Sequence, residues 1–90
     1  MEFEWDENKA RVNLRKHGVS FDRAKLVFED EQRVEEIDDS IFYGEERWRT
    51  IGMVWSELVV VIYTERQGKI RIISARRALK HEQQDYYQQT

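Results

Sequence analysis

The sequence has no cysteine and no proline, only two histidines, and four isolated glycines. Lack of cysteine excludes a disulfide framework and any thiolate metal site. His17 and His81 stand far apart, so a zinc site of the usual kind would need carboxylate ligands as well. Scattered glycines exclude a glycine-rich phosphate loop, and neither an H-E-x-x-H nor an EF-hand pattern occurs. No local motif indicates a Ser/His/Asp arrangement. Long apolar runs are also missing. The longest, Leu58 to Tyr63, falls far short of the roughly 18–20 residues a membrane helix needs. The N-terminus, MEFEWDENKA, is acidic and lacks an apolar stretch, unlike a signal peptide. Cytoplasmic residence is the expectation.

What is present is one domain's worth of chain: 90 residues, 40% hydrophobic, 12% aromatic and 37% charged. A chain of this size buries roughly 60–70% of its unfolded surface, enough for one core. No repeat, linker or low-complexity segment divides it. The net charge of −3 conceals a pattern. Lys9 to Lys25 holds six basic residues and one acid, Glu29 to Glu46 nine acids and one base, and Arg66 to Lys80 six bases and no acid. These are either three solvated faces or one cationic and one anionic surface. A cationic surface would hold a polyanion by its local field, whatever the net charge.

Local signals give the order β-α-α-β-β-β-β-α. Phe3 to Trp5 alternates as a short strand. Asp6 is an N-cap for a first helix ending near His17, with Gly18 in the C′ position. On that helix Ala10, Leu14 and His17 share one face and Lys9, Asn13 and Lys16 another. Ser20 caps a shorter helix with Phe21, Ala24 and Phe28 inward and Arg23 outward. Arg33 to Ile37 and Arg47 to Trp55 read as strands, with Gly52 as a candidate bulge. Glu57 to Thr64, nearly unbroken apolar and β-branched, is the expected central strand. Gln67-Gly68 is a turn, Lys69 to Ser74 pairs back, and Ala75 to Tyr87 reads as a helix capped by Ser74. Helices at both ends of a run of strands indicate α+β: a single small domain, an antiparallel β-meander packed with N-terminal helices and one C-terminal helix.

Four segments carry a family resemblance: WDENKARVNLRKHGVSF, the acidic stretch with EER, VVVIYTER, and RIISARRALKHEQQDYY. Within them K-x3-N-x2-K-H-G-V-x-F and R-I-I-S-A-R-x-A-x3-E-x3-Y are the specific patterns. The chain resembles the BrnT toxin family, the toxin half of a type II toxin–antitoxin pair. The resemblance implies a RelE-like fold, metal-independent cleavage of RNA without a cofactor, and arrest of translation. It also implies a BrnA-type antitoxin that binds DNA, so that DNA is met only through the antitoxin complex.

Cutting RNA without a metal needs help to deprotonate a 2′-hydroxyl, help to protonate the leaving oxygen, and cations for the phosphorane charge. The candidate catalytic residues are Arg76, Arg66, His17, Glu82 and Tyr86; the candidate RNA contacts are Lys9, Asn13, Lys16, Arg71 and Arg77. Arg76 and Arg77 are expected at the N-terminus of the last helix, where free N–H groups favour phosphate. If the first helix meets the end of the meander, His17 and Lys16 would face Arg66 and Arg76 across one groove. Plainer roles stand beside each: His17 as a helix C-terminal residue, the lysines as a solvated face, Arg76 and Arg77 as partners of the acidic stretch Glu35 to Asp39. Tyr86 is expected packed, with Glu82 one turn before it in an ion pair. Glu35, Glu36, Asp38 and Asp39 read as a solvated edge or antitoxin contact rather than a cation site. Tyr63 is expected in the core, and the three tryptophans in core or interface. The alternative function is a non-catalytic module binding protein or nucleic acid.

Overall fold

In the computed structural model, residues 1–38 and 44–89 are described; Asp39 lies outside them. Their elements run β1 (Phe3–Glu4), α1 (Glu7–His17), α2 (Phe21–Ala24), a 3₁₀ segment (Lys25–Glu29), β2 (Val34–Ile37), β3 (Trp48–Val54), β4 (Glu57–Arg66), β5 (Lys69–Arg77) and α3 (Lys80–Tyr87). The sheet order is β1-β5-β4-β3-β2, so β4 is central, as its apolar run predicts.

The helix starts obey their caps. Asp6 accepts the amides of Asn8 and Lys9, and Ser20 Oγ accepts that of Arg23. Gly18, at φ 72°, closes α1 by donating its N–H to Leu14 O. The β4–β5 connection is a two-residue turn with Gln67 and Gly68 both at positive φ, a twist that suits a hairpin. The β3–β4 turn places Trp55 at φ 58°, a left-handed conformation that a bulky residue rarely adopts.

One face of the sheet packs under α1, α2 and the 3₁₀ segment. Val59, Val61 and Tyr63 of β4, Ile72 and Ala75 of β5, and Val19, Phe21, Ala24, Val27 and Phe28 form that core. Burying a side chain such as Phe21 is worth about 1.5–3 kcal/mol. The other face carries Arg49, Ile51, Val60, Arg71 and Arg76 by strand alternation, and α3 lies over part of it against β3.

The antiparallel meander is β2 to β5 as expected, and β1 adds to it in parallel with β5 at Phe3–Ile70 and Glu4–Arg71. Four sequence expectations change. The last helix begins at Lys80, not Ala75: β5 runs on through Arg77 because β4 offers Val60 and Val59 as partners, and Ala78 N–H still reaches Leu58 O. Sheet pairing overrides the helical preference of SARRAL. Gly52 makes no bulge; a Cβ there would meet Val27 Cγ1 at 2.7 Å, so glycine admits the 3₁₀ segment, while the register shift falls at Ile62/Tyr63. On α1 the inward position is Asn13, and Leu14 is half exposed. Arg23 is not on an outer face: it pairs with Glu57 at 3.2 Å and lies 4.8 Å from the Trp55 ring centre.

Candidate active site

The extension of β5 relocates Arg76. Its guanidinium stands on the sheet face away from the helical core, at the strand's last turn toward α3. There Nη1 and Nη2 donate to Glu82 Oε1 and Oε2 at 2.7 and 2.8 Å, a bidentate pair. Glu82 sits in the first turn of α3, where its carboxylate also accepts the Leu79 amide at 2.8 Å. That satisfies an orphan helix-start donor from the N3 position. Its side chain is only 1% exposed. A second guanidinium, Arg49 on β3, approaches Oε2 to 3.8 Å and bonds Glu36 on β2.

Burial alone would push the Glu82 carboxyl up. The bonds from Arg76 and Leu79, with the charge of Arg49, outweigh it and hold the carboxyl below its ordinary value. Arg76 is pushed up in turn by the Glu82 carboxylate. Both arginines keep about a third of their side chains in solvent. The buried Glu82 carboxylate thus fixes Arg76 and faces Arg49, which Glu36 bonds, leaving two partly exposed cations around one anion.

The remaining candidates separate into two groups. His17 ends α1 beside this strand end, its carbonyl accepting Arg77 Nη1 at 3.4 Å. Arg77 points to the core-helix side and holds Glu57 at 2.5 Å, keeping the Glu57 carboxyl low together with Arg23. Lys9, Lys16 and His17 line a groove between α1 and β5 that includes Ser74. Arg66 belongs elsewhere: it starts the β4–β5 turn opposite Lys69, and pairs with Glu45 at 3.2 Å. At about 3.3 Å per strand residue it stands roughly 20 Å from Arg76, so no groove contains both. Arg71 is also remote along β5 and bonds Glu4 at 2.9 Å.

Asn13 and Tyr86 are committed to the fold. The Asn13 amide donates to Val19 O at 3.0 Å and Ala75 O at 2.8 Å and accepts Ala75 N–H at 3.1 Å. It stands in for a neighbouring strand where β1 has ended and leaves no donor for phosphate. The Tyr86 hydroxyl donates to Asp30 Oδ2 at 2.6 Å, and that oxygen also takes the Met53 amide. Burial and the Asp30 carboxylate push the phenol up to about 12, unsuited to proton transfer near neutrality. Burial pushes Asp30 up, but Tyr86, the Met53 and Gln32 amides and Arg33 bring it below its ordinary value.

Among the described residues Arg76 pairs with Glu82 and Arg77 with Glu57, rather than with Glu35 or Glu36 as the plainer reading had it. Glu35 goes to Arg33 and Glu36 to Arg49, bonds that occupy two of the four carboxylates considered for a cation. Arg49 is a candidate that the sequence alone did not single out. Only its alternation with the core residue Trp48 hinted at the face it occupies.

Residues 5–82 match the family described as ribonuclease toxin, BrnT, of type II toxin–antitoxin system. The chain belongs to this family. A search of curated proteins gives no match. The BrnT match covers α1, the whole sheet from β2 to β5, and the first turn of α3 as far as Glu82. It includes Arg49, Arg76 and Glu82 together. A ribonuclease toxin of a type II pair has RNA as target and an antitoxin as partner. Among the described residues, no helix is long and apolar enough to cross a membrane.

Proposed function

We propose that the chain is a metal-independent endoribonuclease that arrests translation and is neutralised by a BrnA-type antitoxin, through which alone it meets DNA. The observation that carries the chemistry is the pair of guanidinium groups that meet at one buried carboxylate. Arg76 is pre-oriented by Glu82 and Arg49 by Glu36, with the Glu82 charge between them, so they need little reorganisation when a phosphorane gains charge. In the step proposed, the ribose 2′-oxygen attacks phosphorus as its proton passes to a base, for which His17 is the candidate. The bond from phosphorus to the 5′-oxygen breaks, and that oxygen takes up a proton. The products are a 2′,3′-cyclic phosphate and a 5′-hydroxyl. Glu82 acts by positioning Arg76, and Tyr86 by anchoring α3.

The alternative, a purely protein-binding module, draws on the surface around Trp55 and Tyr87, which are 75% and 62% exposed. A toxin also needs such a surface for its antitoxin, so this feature does not displace the nuclease. The test is incubation of the purified chain with labelled RNA in excess EDTA, with analysis of product ends. Cleavage giving cyclic phosphate and 5′-hydroxyl termini is expected. Cleavage that requires magnesium and leaves 5′-phosphates, or no cleavage at all, would overturn the proposal.

A further inference from the structure

Of the fifteen lysines and arginines, ten take part in ion pairs among the described residues. Four of the other five, Lys9, Arg11, Arg15 and Lys16, lie on α1. Among the described residues, most of the positive charge outside ion pairs therefore lies on one helix, with Lys80 on α3 apart from it. Two of these cations, Lys9 and Lys16, open onto the groove of about 360 Å³ between α1 and β5. That volume lies at the small end of ligand sites, the scale of a nucleotide rather than of a duplex. Val12 and Ile73 supply apolar surface, His17 and Ser74 polar groups, and no carboxylate lines the groove.

Topology connects this groove to the arginine pair. β1 pairs with β5 only at Ile70 and Arg71, so no strand covers the edge of β5 beside Ser74. Ser74 lies two residues from Arg76 on the same strand and, by alternation, on the same face. Asn13 of α1 caps that edge at Ala75, so a single strand held at Arg76 would run over the Ser74 side of β5 into the α1 groove. Lysine point charges suit phosphate, and an apolar floor between them suits the face of a base. We propose that the α1–β5 groove is a single-stranded RNA subsite. In it Lys9 and Lys16 hold phosphates flanking the one at Arg76, and Val12 and Ile73 bear an unstacked base. The inference rests on the nuclease reading for its substrate, but it concerns binding and is tested separately.

The probe is a single-stranded 2′-O-methyl RNA oligomer of about twelve nucleotides, which binds without being cut. Its affinity is measured by fluorescence anisotropy across a salt series, for the native chain, Lys9→Gln/Lys16→Gln and the control Lys25→Gln. Lys9 and Lys16 are exposed, so the double variant keeps its fold. Losing two phosphate contacts should flatten the log–log salt slope by about 1.4, at about 0.7 per single-stranded contact. Affinity at low salt should fall about tenfold or more, while Lys25→Gln, outside the groove and in a pair with Asp22, binds like the native chain. An unchanged slope and affinity in the double variant would overturn the subsite. So would intact RNA binding combined with loss of antitoxin binding, which would assign the groove to a protein partner. If the native chain binds the oligomer through these lysines but fails to cleave ordinary RNA, the nuclease reading fails and the subsite stands. If it cleaves RNA while the lysine variants bind normally, the subsite alone fails.

Discussion

Replacing Arg76 by alanine would leave the Glu82 carboxylate buried, with the Leu79 amide and a guanidinium 3.8 Å away as its remaining partners. Breaking a buried pair from one side costs about 3–5 kcal/mol when nothing compensates. Here a third of the Arg76 side chain is in solvent and Arg49 can shift closer, so screening reduces the expected loss to about 2–3 kcal/mol. For a domain of this size that lowers the melting temperature by roughly 10–20 °C. Urea unfolding followed by circular dichroism measures it as a change in midpoint at constant slope. Removing the buried charge as well, in Arg76→Ala/Glu82→Gln, should recover part of the loss, giving a coupling of at least about 1 kcal/mol. Cleavage of RNA by Arg76→Ala, measured well below its melting temperature, should fall by about 10²–10³. Stability within about 0.5 kcal/mol of native, with no coupling between the two sites, would refute the claim that Glu82 fixes Arg76.

The same carboxyl sets a pH dependence. Glu82 is held below its unfolded value, so its stabilisation is complete above about 4.5 and is lost as pH falls through the lower folded value. Glu82→Gln should flatten the acid limb of a stability–pH curve; an unchanged limb would contradict this. Asn13→Ala unpairs the Ala75 amide and carbonyl, and should cost about 2–4 kcal/mol with loss of hydrogen-exchange protection at Ala75. Retained protection would show that another group caps the strand edge. Gly52→Ala drives a methyl into Val27 and should destabilise by about 1–3 kcal/mol in thermal unfolding, whereas a stabilised variant would mean that the 3₁₀ segment yields freely. Tyr86→Phe should lower stability by about 1–2 kcal/mol yet retain RNA cleavage; a large fall in rate at intact fold would return Tyr86 to the chemistry.

Most elements were legible because their signals were local. Asp6, Ser20 and Gly18 marked helix ends through their own hydrogen bonds, and the β-branched run of β4 could be satisfied only with strands on both sides. The end of β5 was not legible, since ARRAL has no strand signal of its own and is drawn out by Val59 and Val60. That boundary decided the site. Read as a helix start, Arg76 has backbone amides for company; as a strand end, it has Glu82. The parallel pairing of two-residue β1 likewise depends on where β5 lies. Asn13 carried an ambiguous signal, because a polar residue between two lysines looks like part of a solvated face until the unpaired edge of β5 is seen beneath it. His17 and Lys16 line a groove with Ser74 rather than with Arg66 and Arg76, and Arg66 went to the far turn because the β4–β5 hairpin fixes its register.

Arg49→Ala tests the central claim most directly, because the bidentate pair of Arg76 with Glu82 survives it. The measurement is the rate of RNA cleavage in EDTA, compared with the native chain at equal folded fraction. If the two guanidinium groups share the phosphorane charge, the rate falls by about 10²–10³ with the fold intact. Cleavage at the native rate by a folded Arg49→Ala would contradict the account and remove the arginine pair as the site of the chemistry.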